Sequence, residues 1–427
     1  MKRALLIAYH FPPIRGSSGI QRTLKFATYL REHGWQPIIL TVHPRAYAAT
    51  GEDQMAEIPE DMVVERAFAL DTSRHLAIRG SYVGWLAHPD RYVTWLAGGL
   101  WSGMRLIRKY RPEVLWSTYP VATAHLLGSW LQRLSGLPWV ADFRDSMTEP
   151  EYPRDVAQRR AFQRIERQAV HRSARVVFTT PGARAMYAQR YPEVPDDRWA
   201  IIPNGYDEDN FAQALGEAEG SNGPPMEDGP LRLVHAGALY PSERDPLPFF
   251  RALSRLQEAG RIGPDRLRIV LRATGHDAHY KGLLDELGLT GIVELAPGLP
   301  YAEALAEMVA ADGLLLFQAA NCNHQIPAKL YEYLRAQRPI LALTDSAGDT
   351  AATLRNLGID TIFPLDDDKA IERGLTTFLD ALNGDRAPVA PMADVQCYSR
   401  RAGAAQLATL FEESMNRADY YPGSGPI

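Results

Sequence analysis

Late in the chain, a cation and a carboxylate stand at a spacing that would place them on one face of a helix. Lys329 and Glu332 are three residues apart within Pro327-Ala328-Lys329-Leu330-Tyr331-Glu332, and residues at this spacing are neighbours on a helical surface. Pro327 favours a helix start, because the first turn does not use its missing N–H. The cation could bind a diphosphate, and the carboxylate could accept hydrogen bonds from ribose hydroxyls. A surface ion pair between Lys329 and Glu332 is the alternative.

A glycine and an arginine form a second candidate anion site. Gly237 follows the apolar run at residues 231–236, and Arg244 lies seven residues beyond it. The glycine leaves room for a phosphate group, and a guanidinium can bind phosphate oxygens in a bidentate manner. A plain tight turn with a solvated arginine is the alternative.

A glycine-containing loop near the N-terminus is a third candidate. Gly16-Ser17-Ser18-Gly19 follows the apolar run at residues 4–9 and precedes a helical pattern that begins at Ile20. Backbone N–H groups in such a turn can approach an anion, and the helix dipole adds attraction. The Gly-x-x-Gly spacing differs from the dinucleotide-binding pattern, and no acidic residue ends the second apolar run at Thr41-Val42-His43, which argues against a dehydrogenase. A tight connection without a ligand is the alternative.

Charged residues also follow the buried-strand pattern at residues 139–142. Asp142, Arg144 and Asp145 come at its end, where carboxylates could position sugar hydroxyls, accept a proton or support a developing cation. An ion pair of Arg144 with a neighbouring aspartate that only holds the loop is the alternative.

The overall composition excludes several classes of protein. The 427 residues include 46 lysines and arginines against 51 aspartates and glutamates, for a net charge of −5. A protein that binds along a nucleic-acid backbone usually has more basic than acidic residues, so nucleic acid is not expected as a partner. The two cysteines, Cys322 and Cys397, argue against a thiolate zinc site and a disulfide scaffold and fit a reducing cytoplasm.

The N-terminus resembles a signal peptide only over residues 4–9. His10 and the pair Pro12-Pro13 follow without a small-residue cleavage site, so a buried first strand is expected. No apolar run reaches the roughly 18–20 residues that cross a bilayer.

Two helical patterns could nevertheless contact a membrane surface. In residues 92–107, apolar side chains recur at helical spacing from Leu96 to Ile107, which predicts a helix that packs on the core or, alternatively, dips into a membrane. The helix expected at 156–175 has a basic face between residues 160 and 171, which could attract anionic lipid or a pyrophosphate-linked acceptor. A solvated face is the alternative. The basic residues are Arg160, Arg164, Arg167 and His171.

Short apolar runs alternate with longer helical patterns, which predicts two parallel sheets with helices on both faces. The Gly-, Pro- and Glu-rich stretch between the two series is expected to be a linker. The expected strands are residues 4–9, 37–42, 113–116, 139–142 and 176–179, and then 231–236, 267–271, 292–295, 313–317 and 339–343. The predicted organisation is a first domain at 1–212, a linker at 213–230, a second domain at 231–396, and a C-terminal helix with a loose tail at 397–427.

Ligands of open parallel sheets bind beyond the carboxyl ends of the strands. The candidate loops all follow predicted strands. Two such domains facing each other would therefore gather these loops around one central cleft.

Taken together, these motifs resemble the family-4 retaining glycosyltransferases of the GT-B fold. The resemblance covers nearly the whole chain. Its most specific pieces are Ile202-Pro203-Asn204-Gly205-Tyr206-Asp207 with Phe211, Gly237 with Arg244, and the segment from Pro327 to Tyr333. It implies an α/β chain of two doubly wound Rossmann-like domains that face a central cleft, the first on the acceptor side and the second binding a nucleotide sugar.

The resemblance also implies roles for single residues. Glu332 is similar to the second acid of the family's Glu-x7-Glu pattern, here in a Pro-x-Lys-x-x-Glu variant, and would hold the nucleotide ribose. Arg244 and Lys329 would stabilise the departing diphosphate, so no metal or other cofactor is expected. The other donor-binding residues expected are Gly16, Gly237, Gly298, Leu299 and His324. The first domain adds Asp142 and Asp145 as further catalytic candidates, and Arg15 and Arg144 on the acceptor side.

Two positions depart from the family pattern. His324 stands where the first glutamate of the pattern belongs, and Ala238 replaces the basic residue that usually follows Gly237. A histidine donates and accepts hydrogen bonds differently from a carboxylate. Altered sugar specificity is therefore expected, and loss of activity is the less favoured interpretation.

The expected function is transfer of a hexose from a nucleoside diphosphate sugar to a hydroxyl of a glycan or lipid-linked acceptor, with the anomeric configuration retained. Cell-surface polysaccharide synthesis is the expected context, in the cytoplasm and at the inner membrane face. Two alternatives remain: a nucleotide-sugar-binding or scaffold protein with little turnover, and a GT-B epimerase that acts on the sugar nucleotide itself.

Overall fold

The structure is a computed structural model that describes residues 1–15, 19–52, 54–77, 84–150, 152–220, 229–384 and 386–416. The chain divides into two compact units. The first comprises Met1–Asn204 together with the C-terminal segment that begins at Arg400, and the second comprises Gly205–Ser399.

A seven-stranded parallel sheet forms the centre of the first unit. Its strands are β1 (Lys2–Ile7), β2 (Trp35–Val42), β3 (Val63–Ala67), β4 (Val114–Thr118), β5 (Trp139–Asp142), β6 (Arg175–Phe178) and β7 (Trp199–Ile201). They lie in the order β3-β2-β1-β4-β5-β6-β7. The sequence predicted all of them except β3 and β7. These two strands are at the edges of the sheet and are mostly half-buried, so neither shows the continuous apolar run of a central parallel strand.

Helices cover both faces of this sheet. They are α1 (Gly19–Tyr29), α2 (Thr72–His75), α3 (Trp95–Tyr110), α4 (Ala122–Ser135), α5 (Val156–Arg172), α6 (Pro181–Arg190) and, from the end of the chain, α15 (Arg400–Asn416). The buried side chains of α3, α4, α5 and α6 pack on one face, and those of α1 and α15 pack on the other.

The C-terminal helix belongs to the first unit, although it follows the second unit in sequence. Leu407 and Phe411 of α15 are buried on the sheet face, and the Phe411 ring lies 5.1 Å from the ring of Trp35. The sequence predicts a terminal helix within residues 397–427, and the structure has α15 at Arg400–Asn416.

Helix α3 is rotated relative to its predicted orientation. Its fully buried stripe includes Gly99 and Gly103, where added Cβ atoms would lie 2.5 Å and 2.7 Å from side-chain atoms of Leu127 and Leu131 on α4. The predicted stripe from Leu96 to Ile107 is only half-buried. The small residues face inward because they let α3 approach α4 closely, a feature that a search for large apolar residues misses.

A six-stranded parallel sheet forms the second unit. Its strands are β8 (Leu231–Ala236), β9 (Leu267–Arg272), β10 (Val293–Ala296), β11 (Gly313–Phe317), β12 (Ile340–Leu343) and β13 (Ile362–Phe363). They lie in the order β10-β9-β8-β11-β12-β13. The sequence predicted all but the two-residue edge strand β13. The helices of this unit are α7 (Glu208–Gly220), α8 (Leu247–Glu258), α9 (Asp277–Glu286), α10 (Tyr301–Ala310), α11 (Lys329–Ala336), α12 (Asp349–Asn356), α13 (Asp368–Asn383) and α14 (Met392–Val395).

The expected linker at 213–230 differs from the structure in its first part. Residues 213–220 belong to α7, whose Phe211 and Ala214 are buried in a core cluster of the second unit. Residues 221–228 lie outside the described ranges. The division between the units falls earlier, between Asn204 and Gly205, because the apolar side of α7 packs within the second unit.

The chain crosses between the units twice, at residues 204–205 and 399–400. Within the second unit, the backbone segments next to these two crossings are in close contact. The Tyr206 N–H donates to the Tyr398 carbonyl oxygen at 3.2 Å. A Cβ atom on Gly205 would lie 2.1 Å from the same oxygen, so this position requires glycine. In the described part of the chain, no helix is both long and apolar enough to span a bilayer.

Candidate functional site

Lys329 begins α11 and lies against the end of β8. Its Nζ is 3.2 Å from Nε2 of His235, the penultimate residue of that strand. One turn further along α11, the buried Tyr333 hydroxyl accepts a hydrogen bond from the Ala236 N–H at 3.0 Å. These two polar contacts fix α11 to β8. The helix begins at Lys329 and not at Pro327, whose carbonyl accepts the Leu330 N–H at 2.9 Å.

Gly237 provides the space into which Lys329 extends. Its φ of 111° lies in the left-handed region, which glycine adopts far more readily than other residues. A Cβ atom at this position would lie 2.9 Å from Lys329 Nζ. The sequence predicted that this glycine leaves room for a phosphate, and the structure shows that it first leaves room for the ammonium group.

Arg244 contributes a second positive charge to the same place. Its Nη1 donates to the Ala238 carbonyl at 3.2 Å, and its guanidinium lies over the Tyr240 ring at 5.8 Å. Burial and, to a smaller extent, the Arg244 charge lower the pKa of Lys329 to about 7, whereas Glu332 acts in the opposite direction. The structure therefore brings Arg244 and Lys329 together.

Glu332 is oriented by a residue that the sequence analysis missed. Tyr301, the first residue of α10, donates its hydroxyl proton to Glu332 Oε1 at 2.7 Å. The loop that precedes Tyr301 contains Gly298 and Leu299, so α10 brings the predicted base-binding loop close to Glu332. Lys329 makes its hydrogen bond with His235, and the surface ion pair with Glu332 does not form.

The electrostatics of this site favour an anion. Lys329 stands at the N-terminus of α11, where the helix dipole already provides positive potential and disfavours a cation. Within the described ranges, no carboxylate forms a salt bridge with Lys329 or Arg244. The helix end and two basic side chains thus leave positive charge uncompensated, which suits a phosphate or diphosphate group.

His324 lies in the loop between β11 and α11 and is exposed. It stands eight residues before Glu332. The expected contact with a donor sugar stays a prediction.

Asp142 has a different environment from the one predicted. Its carboxylate is buried and accepts two hydrogen bonds from Arg22, at 2.7 Å and 2.9 Å, and a third from Thr118 at 2.9 Å. Arg22 also donates to the carbonyl oxygens of Ile202 and Pro203, each at 3.0 Å. This geometry fits an internal ion pair and not an open catalytic carboxylate, because both oxygens are already engaged. The partner is Arg22, not the neighbouring Arg144 that the sequence suggested.

Arg144 lies beside the N-terminus of α1. Its Nη1 donates to the Tyr119 carbonyl at 3.3 Å, and a Cβ atom on Gly19 would lie 2.5 Å from that nitrogen. In the described chain, its buried Nε has no hydrogen-bond partner. Burial and the charge of Arg144 lower the pKa of the adjacent His10 to about 4, so its ring is neutral at pH 7. The Arg144 guanidinium and the N-terminus of α1 could together also attract an anion.

The other predicted site residues of the first unit that the structure describes are more exposed to solvent. Asp145 and Arg15 are exposed, and Arg15 packs its aliphatic chain near Gly51. Gly16 lies outside the described residues. The catalytic role of Asp145 and the acceptor-side roles of Arg15 and Arg144 stay predictions.

Among the described residues, no group of three or more His, Cys, Asp or Glu side chains is placed to hold a metal ion.

Three site residues could not be assigned from the sequence: Arg22, His235 and Tyr301. His235 offers a weak signal, since a histidine within an apolar strand two residues before a candidate site glycine is unusual. Arg22 and Tyr301 sit in ordinary amphipathic helical patterns, and their partners are far away in sequence.

Two doubly wound α/β units with parallel sheets place the chain in the GT-B class of fold, as predicted. Solved structures of this fold resemble nearly the whole chain. They include sucrose-phosphate synthase from Thermosynechococcus elongatus (15% identity, 97% of this chain and 99% of that chain, TM-score 0.66). Anabaena Alr3699/HepE in complex with UDP and glucose is another (13% identity, 97% and 100%, TM-score 0.65). A third is α,α-trehalose 6-phosphate synthase from Burkholderia multivorans (14% identity, 98% and 99%, TM-score 0.65).

The first unit also shows a likeness at the level of sequence family. Residues 18–205 match the glycosyl transferase 4-like domain, which covers most of that unit. No curated protein is significantly similar to the chain in sequence. The family match points to glycosyl transfer for the first unit, and the structural neighbours agree with it in fold.

Proposed function

We propose that the protein is a retaining glycosyltransferase that moves a hexose from a nucleoside diphosphate sugar to a hydroxyl of a glycan or lipid-linked acceptor. The observation that carries this proposal is the uncompensated positive charge of Lys329 and Arg244 at the N-terminus of α11. Structural neighbours support a nucleotide donor, since Anabaena Alr3699/HepE has been solved with UDP-glucose and S. aureus MnaA with UDP. Cell-surface polysaccharide synthesis is the proposed context.

In the proposed reaction, the bond between the anomeric carbon and the diphosphate oxygen breaks, and the acceptor oxygen bonds to the same face of that carbon. Lys329 and Arg244 would stabilise the negative charge that develops on the diphosphate. The leaving phosphate would take the acceptor proton. Glu332, oriented by Tyr301, would accept hydrogen bonds from the ribose hydroxyls.

We assign the remaining donor contacts from where the residues lie relative to Lys329 and Glu332. The backbone of Gly298 and Leu299 would contact the base, and His324 would contact the sugar. Because two side-chain cations supply positive charge, we propose that transfer needs no divalent metal. Equal rates of donor turnover with and without EDTA are expected, and a loss restored by Mg²⁺ would contradict this part of the proposal.

The donor is identified by incubating the protein with uridine, guanosine, adenosine and thymidine diphosphate sugars and measuring released nucleoside diphosphate. At least one donor should be consumed. Lys329→Ala should abolish release, since it removes one of the two phosphate-binding cations. Lys281→Ala is a matched control, because Lys281 is an exposed lysine on α9 of the same unit, and it should leave release unchanged.

Other outcomes distinguish the alternative functions. Nucleotide-sugar binding without turnover, in the presence of acceptor glycans, would favour a binding or scaffold protein. Conversion of the sugar nucleotide without release of nucleoside diphosphate would favour an epimerase. Activity that is unaffected by Lys329→Ala would contradict the assigned site.

We also propose that the protein works in the cytoplasm and contacts the inner face of the membrane through its first unit. On α3, Trp101 is 67% exposed and lies beside Arg105, Arg108 and Lys109. Arg105 also pairs with Glu65. The sequence of α3 contains no acidic residue. A surface that combines an exposed tryptophan with arginine and lysine suits anionic headgroups.

The second basic surface lies on α5. Arg160, Arg164, Arg167 and His171 are exposed, and the only acidic residue of this helix, Glu166, is buried. Glu166 accepts hydrogen bonds from Arg190 and Tyr187, both at 2.8 Å. Its charge is therefore neutralised inside the unit.

Sedimentation with vesicles tests the two surfaces separately. The protein should bind phosphatidylglycerol vesicles and not phosphatidylcholine vesicles. Arg108→Glu with Lys109→Glu tests α3, and Arg160→Glu with Arg164→Glu tests α5, so each double variant is the control for the other. Absence of binding to the anionic vesicles would contradict the proposed membrane contact.

A further inference from the structure

His235 is a fully buried histidine inside the central strand β8 of the second unit. Its ring meets the Phe317 ring edge-on, with 5.0 Å between the ring centroids. Both ring nitrogens have polar neighbours, Leu315 and Lys329. A buried polar ring inside an apolar sheet requires such partners, and their chemistry determines what the ring can do.

The Leu315 carbonyl fixes the tautomer of this ring. Nδ1 of His235 lies 2.8 Å from the Leu315 oxygen, and a carbonyl can only accept, so Nδ1 carries the hydrogen. Nε2 faces Lys329 Nζ at 3.2 Å. An ammonium group can only donate, so Nε2 must be the unprotonated acceptor. Burial, together with the charges of Lys329 and Arg244, lowers the pKa of His235 well below its usual value, which keeps the ring neutral.

We infer that His235 is a positioning residue for the diphosphate site: its neutral ring holds the Lys329 ammonium with an acceptor that carries no charge. The inference rests on the proposed function. A carboxylate in the same place would also orient Lys329, but it would neutralise the charge that the diphosphate needs. The neutral imidazole orients the ammonium and leaves its full charge for the ligand.

The charged groups around Lys329 agree with this role. Arg244 disfavours the ammonium form, and Glu332, one turn along α11, favours it. Glu332 is held by Tyr301 and does not pair with Lys329. His235 is therefore the hydrogen-bond acceptor that Lys329 has in this part of the structure. Removing this acceptor should make the ammonium form less stable and the side chain less ordered.

Three substitutions separate the two hydrogen bonds of the ring. His235→Asn can keep a donor near Leu315 but cannot reach Lys329. His235→Gln can place its amide oxygen near the position of Nε2. His235→Phe preserves an aromatic ring and removes both polar atoms.

The first measurement is UDP affinity by titration calorimetry. At pH 7.5, His235→Asn and His235→Phe should weaken binding at least about tenfold, the lower end of the effect expected from losing a hydrogen bond to a charged group. His235→Gln should stay closer to the unsubstituted protein. In a Lys329→Met background, His235→Asn should cause little further loss. Equal losses in both backgrounds would overturn the inference, because they would show that His235 acts through something other than Lys329.

The second measurement does not need a nucleotide. The chain has six lysines, so selective ¹³Cε-lysine labelling gives an NMR spectrum in which Lys329 is assigned by its disappearance in Lys329→Met. His235→Asn should lower the pH at which Lys329 titrates, and His235→Gln should largely restore it. A Lys329 titration that is identical in folded His235→Asn would refute the positioning role. If the unsubstituted protein binds none of the nucleotides, the proposed function fails, and the lysine titration still decides the role of His235.

Discussion

Lys329 combines two features that oppose a positive charge: burial and a position at the start of a helix. Each raises the free energy of the ammonium form, and the nearby Arg244 adds to the effect. A positively charged side chain in such a place lowers the free energy of unfolding, but it is well suited to bind an anionic ligand. The proposed diphosphate ligand would neutralise this charge and so make it favourable.

This arrangement predicts a pH-dependent affinity for UDP. The pKa of Lys329 is lowered to about 7, so above pH 7 the unliganded side chain is mostly neutral and must gain a proton when the diphosphate binds. Between pH 7.5 and 9, where phosphate groups are fully ionised, affinity should fall by up to about tenfold per pH unit. Calorimetry in buffers of different ionisation enthalpy should show uptake of a proton.

Lys329→Arg provides the control for this prediction. Arginine stays charged over the whole range, so any remaining binding should lose its pH dependence between pH 7.5 and 9. A steep pH dependence that persists in Lys329→Arg would show that another group titrates.

The same pKa predicts an effect on stability. Between pH 7 and about 10.5, the unfolded chain binds a proton at Lys329 that the folded chain does not, so the free energy of unfolding should rise with pH in this window. Below pH 7 the cost of the buried ammonium is fully present. Lys329→Met should therefore raise the melting temperature at pH 6.5, and the difference should shrink towards pH 10. A lower melting temperature at pH 6.5 would contradict the claim that the charge opposes folding.

At the scale of secondary-structure elements, one buried ion pair connects several parts of the first unit. Arg22 on α1 bonds to Asp142 at the end of β5 and to the carbonyl oxygens of Ile202 and Pro203 just beyond β7. The pair thereby fixes α1 relative to two strands. The pair thereby also fixes the N-terminus of α1, which begins at Gly19.

Arg22→Met should destabilise the first unit strongly. The substitution leaves the Asp142 carboxylate buried without its cation, which typically costs about 3–5 kcal/mol. The measurement is urea unfolding followed by tryptophan fluorescence. Combining Arg22→Met with Asp142→Asn should recover part of the loss, since the unpaired charge is removed. A change below about 1 kcal/mol for Arg22→Met would contradict this account.

At the scale of the whole molecule, the order of elements along the chain differs from their grouping in space. Helix α15 follows the entire second unit in sequence but completes one sheet face of the first unit. Its Gly403 lies close to Phe26 and Ile202, 3.4–3.5 Å from an added Cβ. The first unit therefore needs segments from before and after the second unit to cover its sheet.

Phe411→Ala tests this organisation. Phe411 is fully buried against Trp35, and truncation of a buried phenylalanine costs about 3–5 kcal/mol. The first unit should unfold at a lower urea concentration. Thr409→Ala is a matched control on the same helix, because Thr409 is exposed, and it should change stability by less than about 0.5 kcal/mol. Equal effects of both substitutions would show that α15 is not an integral part of the unit.

The sequence by itself determined the class of fold and indicated the segments of the proposed donor site. Buried parallel strands need continuous apolar runs, and the ligand-binding loops of such sheets follow the strands. Both features lie within short segments, so they can be recognised in the sequence. Gly237, Arg244, Lys329 and Glu332 could therefore be proposed as site residues from their own segments.

Only the tertiary structure decided which side chains meet. Arg22 and Asp142 are 120 residues apart, His235 and Lys329 are 94 apart, and Tyr301 and Glu332 are 31 apart. No periodic pattern connects such pairs, because strand order and helix rotation bring them together. For the same reason, the inward rotation of Gly99 and Gly103 in α3 and the return of α15 to the first unit depend on packing that local spacing does not encode.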